Sequence, residues 1–107
     1  MVKEERVQEA YRALADPHRR TILRVLRGGE RTAGDLAGAT GLQPAALTHH
    51  LTVLKLADLV RVERRGQYQV YSLNTTVFQD LMAEILSWLT DPIPDPDTPH
   101  PTTGDTS

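Results

Sequence analysis

Between Thr32 and Val60, in TAGDLAGATGLQPAALTHHLTVLKLADLV, the apolar positions recur at helical spacings on either side of one short break. The pattern predicts two helices joined by a rigid turn. Thr32 is placed to cap the first helix, with Asp35 three residues on as a shortened capping box and Leu36 opening the apolar face. This helix runs to about Thr40. Gly41 supplies the left-handed residue that ends it, Leu42 turns back toward the core, and Pro44 takes a first-turn position that needs no N–H. The second helix continues to about Ala57. On a wheel of about 100° per residue, Leu51 and Leu54 fall within about 40° of Leu47, which makes one buried stripe. Ala45, His49 and Thr52 lie opposite it. Ala37 is small where the two helices cross steeply, and a bulkier residue would force them apart.

The flanking patterns extend the fold. Residues 4–15 predict a helix with Val7, Ala10, Tyr11 and Leu14 on one side. ADPHRRTILRVLRGG predicts another, with Asp16 as N-cap, Pro17 at its first position and Gly28-Gly29 as its stop. Ile22, Leu23, Val25 and Leu26 supply its core, Arg19, Arg20, Arg24 and Arg27 lie outside, and His18 reads as a surface or interhelical residue. Behind the helix pair, Leu59–Arg64 and Tyr68–Leu73 are Val- and Tyr-bearing runs around Arg65, Gly66 and Gln67. They predict a hairpin with glycine where a tight turn needs positive φ. Thr75 to about Thr90 predicts a last helix. Val77, Phe78, Leu81, Met82, Ile85, Leu86, Trp88 and Leu89 cover nearly half its circumference, leaving Gln79, Asp80, Ala83, Glu84 and Ser87 outside.

The expected fold class is mainly α with a small β-hairpin, a winged helix-turn-helix of four helices, a hairpin wing and a fifth helix. Residues 4–90 form the expected DNA-binding and dimerisation domain. Residues 91–107, DPIPDPDTPHPTTGDTS, hold five of the seven prolines and no apolar periodicity, which predicts a disordered acidic tail. With only about 85 residues in the folded part, the core of a monomer is marginal. The wide apolar stripe is therefore expected to pair with a second copy through Val7, Tyr11, Leu14, Phe78, Leu81, Met82, Ile85, Trp88 and Leu89. A two-fold homodimer would set two reading helices about 34 Å apart, one turn of DNA.

Charge becomes informative once divided along the chain. All 12 Lys and Arg fall in residues 1–73 against 8 acids, whereas residues 74–107 hold 6 acids and neither cation. The front is mildly basic and the back acidic, as expected if one face meets phosphate. No apolar run is long enough to span a bilayer and the first ten residues are too charged for a signal peptide, so a cytoplasmic protein without membrane insertion is expected. The absence of cysteine excludes disulfides, a thiol switch and thiolate metal ligands.

The outward face of the second helix of the pair suits DNA. Ala45, Ala46, Thr48, His49 and Thr52 are short or carry one donor or acceptor, so the backbone can approach bases in a groove about 12 Å wide. Gln43, beside the helix N-terminus, suits a phosphate. Thr32 and Lys55, at the borders of the pair, join the expected DNA-binding set. Arg64, Arg65 and Gln67 at the hairpin tip make a wing that can lay cations on a backbone or in the minor groove. An amphipathic helix with a merely solvated face is the plain alternative, and the turn and the hairpin behind it argue against that.

ADPHRRTILRVLR, the helix ending LTHHLTVLKLADLV, and RVERRGQYQVYSL together resemble the ArsR family of bacterial winged helix-turn-helix repressors, and within it the small SdpR-like autorepressor type. The resemblance spans roughly residues 5–89. It implies a homodimer built on the first and last helices, Thr48 and His49 near the bases, and repression by occluding a promoter, including that of its own operon. It places His50 where the family has Ser/Thr-x-His-Leu, to brace the helix or hold a phosphate. Two departures follow. The family's metal sensors carry a cysteine pair on the helix that here reads TAGDLAG, or Asp and His ligands on the last helix. Here Asp80 and Glu84 stand four apart without a histidine, so neither metal nor thiol sensing is expected, and no cofactor. Asp58 stands where the family usually has glycine before Leu-Val, and it would adopt the left-handed conformation at some cost. The expected function is a sequence-specific, DNA-binding transcriptional regulator acting on a double-stranded DNA operator. An enzyme has no support, since no hydroxyl has a recognisable base and no Gly-rich loop follows a strand. The competing class is a winged-helix docking module that uses the last helix. A partner protein acting as antirepressor is compatible with both.

Overall fold

Asp16 and Gly41 punctuate the helical half of the chain. In the computed structural model, which describes residues 2–92 and side-chain environments from Glu5 onward, α1 (Val2–Leu14) is followed after a two-residue break by α2 (Pro17–Arg27). The Asp16 carboxylate accepts from the N–H groups of His18 and Arg19 at 2.7 and 3.3 Å, satisfying two donors that a helix start leaves open. α3 (Ala33–Thr40) begins in a reciprocal capping box: the Asp35 N–H donates to Thr32 Oγ1, and the Thr32 N–H donates to the Asp35 carboxylate. It ends at Gly41, φ 73°, whose N–H donates to the Ala37 carbonyl. Pro44 then opens α4 (Pro44–Leu56). Half-buried Ala37 packs against the core, as its small size predicts.

The exit from α4 is fixed by a Schellman motif. Asp58 adopts φ 61°, its N–H donates to the Lys55 carbonyl, and the Leu59 N–H donates to the Leu54 carbonyl. Leu54 and Leu59, joined by that last bond, are both fully buried. Asn74 holds the same corner from the far side, its N–H on the Leu59 carbonyl and its Nδ2 on the Asp58 carbonyl. The left-handed aspartate expected from the sequence is therefore observed.

β2 (Val60–Arg65) and β3 (Tyr68–Leu73) pair antiparallel from Val60↔Leu73 to Arg65↔Tyr68, closed by a two-residue turn with Gly66 at φ 63°. A third strand, absent from the sequence expectation, is β1 (Arg31–Thr32), which pairs with β3 as Arg31↔Tyr71 and Thr32↔Val70 and gives the order β1-β3-β2. Two residues carry no periodicity for a pattern to find. α5 (Thr75–Thr90) follows, with the boundaries expected.

One core unites these elements. Ile22, Leu26, Leu36, Leu47, Leu51, Leu54 and Leu59 are buried together with Tyr71, the α1 alanines Ala10 and Ala13, and Val77 and Leu81 of α5. Leu81, expected at a subunit interface, is 4% exposed and belongs to this core instead, because α5 leans on the body through its first two turns. Glu84 and Ser87, expected outside, are half-buried. Val25 is half-buried, not fully buried. Beyond Pro92 the expected acidic tail lies outside the described residues. Among the described residues no helix is long and apolar enough to cross a membrane.

Candidate nucleic-acid interface

α4 sits on the body through Leu47, Leu51 and Leu54, so the opposite side is turned outward. Gln43, Ala45, Thr48, His49, Thr52 and Lys55 are exposed and Ala46 is half-buried, which brings the expected reading residues onto one accessible helix face. Nothing on it is larger than a histidine until Lys55 and the exposed Leu56 at its end. Gln43 is the N-cap but makes no side-chain cap hydrogen bond, so the first N–H groups of α4 are not capped by it. A phosphate is the natural partner for such groups. Small side chains flanked by an uncapped N-terminus and a terminal lysine can lie close to base edges while the ends hold the backbone.

His50 departs from the expected DNA-binding set. It is 8% exposed, and its Nδ1 lies 3.2 Å from Nη1 of Arg19. A guanidinium offers only donors, so Nδ1 is the acceptor and the ring proton sits on Nε2. Arg19 also donates through Nε to the Ala13 carbonyl at 2.8 Å and through Nη2 to the Arg12 carbonyl. Arg19, expected on the outside of α2, is thus a half-buried tie between the end of α1, α2 and α4. Burial is the main force lowering the His50 pKa; the neighbouring Arg19, His49 and His18 charges lower it further and Asp16 opposes them. The rings of His18 and His49 stand 5.6 and 5.4 Å from that of His50. Of the two roles the resemblance allowed, the burial of His50 and its Arg19 contact suit the bracing one.

Thr32 has a local role as well. Half-buried in β1, it accepts the Asp35 N–H at its hydroxyl oxygen and so caps α3, which leaves its O–H free to donate. The wing divides similarly. Arg64 is exposed at the tip and, among the described residues, donates only to the nearby Gly66 carbonyl, and Gln67 is exposed beside it. Arg65 instead grips Glu30 bidentately, with Nη1 and Nη2 each 2.8 Å from a carboxylate oxygen, and Nη2 also reaches Glu63 at 3.0 Å. Hydrogen bonding to Glu30 raises the Arg65 pKa, and the same contact holds the Glu30 carboxyl below its usual range. Arg65 is therefore not a free cation for phosphate but a fastening between the wing and the approach to β1. Glu30 was missed from the sequence, since nothing local signals a partner 35 positions away.

The other exposed face is apolar. On α5, Met82, Leu86, Trp88 and Leu89 are 61%, 53%, 50% and 79% exposed, and Ile85 lies between them. Trp88 packs edge-on against Tyr11 of α1 with ring centroids 5.4 Å apart. Val7, Tyr11, Leu14 and Phe78 are half-buried and pack against the core. Asp80 and Glu84 lie on α5, and among the described residues no three His, Cys, Asp or Glu side chains converge as metal donors.

Comparison with known proteins agrees with this geometry. A family model described as a helix-turn-helix domain matches residues 14–63. The chain is 41% identical over 83 residues to the transcriptional repressor SdpR of Bacillus subtilis, covering 78% of this chain and 92% of that one. It is 40% identical over 80 residues to the HTH-type transcriptional regulator NmtR of Mycobacterium tuberculosis, covering 75% and 67%. A solution structure from Mycobacterium bovis, described as the homodimeric winged helix-turn-helix DNA-binding domain of a possible ArsR-family regulator, superposes with a TM-score of 0.65 at 27% identity, covering 85% of this chain and 88% of that one.

Proposed function

The chain belongs to the ArsR family of winged helix-turn-helix, DNA-binding transcriptional regulators, and from that premise we propose that it is a homodimeric repressor that occludes a promoter, including its own. α4 enters the major groove. Ala45, Ala46, Thr48, His49 and Thr52 meet base edges, Gln43 and Lys55 hold phosphates, and Arg64 and Gln67 bring the wing onto the backbone. The observation that carries this reading is the outward face of α4, small and polar, on a helix fixed by a buried leucine stripe and by a turn that Gly41 closes and Pro44 opens into the helix. A docking module would instead present large apolar groups there.

Residues 4–90 act as one DNA-binding and dimerisation unit in the cytoplasm. Val7, Tyr11 and Leu14 of α1 join Phe78, Met82, Ile85, Trp88 and Leu89 of α5 in the dimer. The name of the Bacillus relative supports repression, and the homodimeric description of the Mycobacterium bovis domain supports the dimer. Regulation proceeds without metal or thiol chemistry: the chain has no cysteine, and α5 carries no histidine to join its carboxylates. Relief by an antirepressor protein is compatible with this surface.

Fluorescence anisotropy on DNA from the protein's own promoter region, beside a scrambled duplex and over a salt series, tests the reading. Salt-dependent binding that prefers the promoter by on the order of a thousandfold is expected. Weak, equal binding to both duplexes would overturn autoregulation through this promoter.

A further inference from the structure

A groove of about 340 Å³ lies where the end of α1, α2, the end of β3 and the start of α5 meet. Leu14, Leu23, Leu73 and Phe78 give it an apolar floor, and Arg20, Arg24 and Arg27 of α2 line it as well. These arginines are spaced four and three apart, so they share one helix face. Among the described residues none of the three has a carboxylate within ion-pair distance; the paired acids Asp58, Glu30 and Glu63 belong to Arg6 and Arg65. Arg20 spends one N–H on the Leu14 carbonyl at 2.8 Å. Three cations over an apolar floor without an anion match an acidic, partly apolar chain.

The sequence holds such a chain immediately after α5. Residues 93–107, IPDPDTPHPTTGDTS, contain Asp95, Asp97 and Asp105, no Lys or Arg, and four prolines. We propose that this acidic segment docks into the α2 groove of its own chain, setting aspartates on Arg24 and Arg27 and proline rings on Leu23 and Leu73, the part of the floor outside the proposed dimer contact. Reach permits it. From Thr90 back to Phe78, α5 is about 18 Å long, a distance that about six extended residues cover, and 15 follow Pro92. Tethering also lowers the affinity required, because a short linker gives an effective concentration on the order of millimolar. The prolines fix φ beforehand, so less chain entropy is lost on docking. The consequence is that three cations of the basic front are covered by the acidic back in the DNA-free protein.

The inference goes beyond the repressor reading and does not need it. Because the chain has no cysteine, Thr103→Cys provides a single site for a nitroxide label on the otherwise intact protein. At low salt the amide signals of Leu23, Arg24 and Leu73 should fall to about half or less, and recover at about 0.5 M salt, where exposed charges are screened. Arg24→Gln with Arg27→Gln should abolish the broadening, as should Asp95→Asn, Asp97→Asn and Asp105→Asn together, with the remaining amide spectrum unchanged. Broadening that survives either set, or that is not centred on the groove, overturns the proposal. A mixed sample of isotope-labelled chains without nitroxide and unlabelled chains with it should show no groove broadening. Broadening there would make the segment a partner's and overturn docking on its own chain. Sedimentation of the same sample reports the dimer separately.

Discussion

α4 and α5 are both amphipathic helices, of 13 and 16 residues, and both bury one stripe in the same core. They differ in what they leave outside. α4 exposes Ala45, Thr48, His49 and Thr52, while α5 exposes Met82, Leu86, Trp88 and Leu89. Apolar surface of that size gains free energy only when something covers it, at roughly 25 cal/mol per Å². Small polar groups gain little from burial but allow close approach and carry hydrogen-bond information. The two helices therefore point to different partners, DNA for α4 and a second protein surface for α5, although a wheel drawn for either shows the same amphipathic division.

The largest expected effect separates these roles at α5. Ile85→Asp would set a carboxylate in the middle of the apolar patch, and burying an unpaired charge costs several kcal/mol. Dimer dissociation should become at least about a hundredfold easier, with the sedimentation mass halving at micromolar concentration. Ile85 is exposed and lies outside the core, so the helical circular dichroism should stay close to that of the native chain. An unchanged mass would show that the dimer is built elsewhere.

At α4 the matching change is His49→Ala. A side chain that reads a base edge contributes about 1–3 kcal/mol of discrimination. Operator affinity should fall by about tenfold or more while affinity for random DNA moves little, and the sedimentation mass should not change. Equal loss on both duplexes would make His49 a phosphate contact. Thr52→Val, which keeps the methyl and removes the hydroxyl, would then show whether reading is shared along the face.

Much of this contrast is legible in the sequence, because it rests on local chemistry. Thr32 with Asp35, Gly41, Pro44 and Asp58 each act within a few residues of themselves, so the helix ends and the left-handed positions follow from residue type. What escaped depends on partners far along the chain. β1 exists only because β3 returns to pair with it. Arg65 and Glu30 find each other across the sheet, and Arg19 turns inward because His50 and the Ala13 carbonyl converge on it. Leu81 is indistinguishable from Met82 in an apolar run, and only the docking angle of α5 makes one core and leaves the other exposed.

The corner between α4 and the wing gives a smaller, opposite effect. A left-handed L-residue costs about 1 kcal/mol or more relative to glycine. The Arg6–Asp58 pair at 3.7 Å is half-exposed on both sides, so it returns only a few tenths of that. Asp58→Gly should therefore stabilise the fold by about 0.5 kcal/mol and raise Tm by about 2–4 °C. Asp58→Ala should destabilise it. Thermal melts check both, and a fall in Tm for the glycine variant would mean that the aspartate holds more than its backbone geometry.

Acid should act on α4 from beneath. Burial lowers the His50 pKa, so the folded state keeps the ring neutral where an unfolded chain would begin to protonate it. The resulting stability is complete above the ordinary imidazole range near about 6.5 and is lost as pH falls through the lowered folded value. Protonation also removes the acceptor for Arg19 and adds a cation beside it, among His18 and His49, with Asp16 opposing them. The urea midpoint should fall between about pH 7.5 and pH 5.5, and His50→Gln should flatten that fall while His18→Gln leaves most of it. An equal slope in the His50 variant would assign the acid sensitivity to the carboxylates.

The finest division lies within the wing, between adjacent arginines. Arg64 is exposed and makes only a local contact, whereas Arg65 is held by two carboxylates. A cation already paired releases little on meeting phosphate, because what it gains there it gives up at Glu30. Arg64→Gln should weaken binding to every duplex and reduce the slope of log affinity against log salt by about one, the signature of one lost phosphate contact. Arg65→Gln should leave that slope nearly intact and cost little stability, as expected for exposed ion pairs. The converse change sharpens the test. Glu30→Gln leaves Arg65 only its single contact to Glu63, so part of its charge becomes available to DNA: affinity for random duplexes should rise and the salt slope should steepen, by an amount that Arg65→Gln then cancels. If Glu30→Gln weakens binding instead, the clamp acts by aiming the wing, and its geometry outweighs the charge it hides.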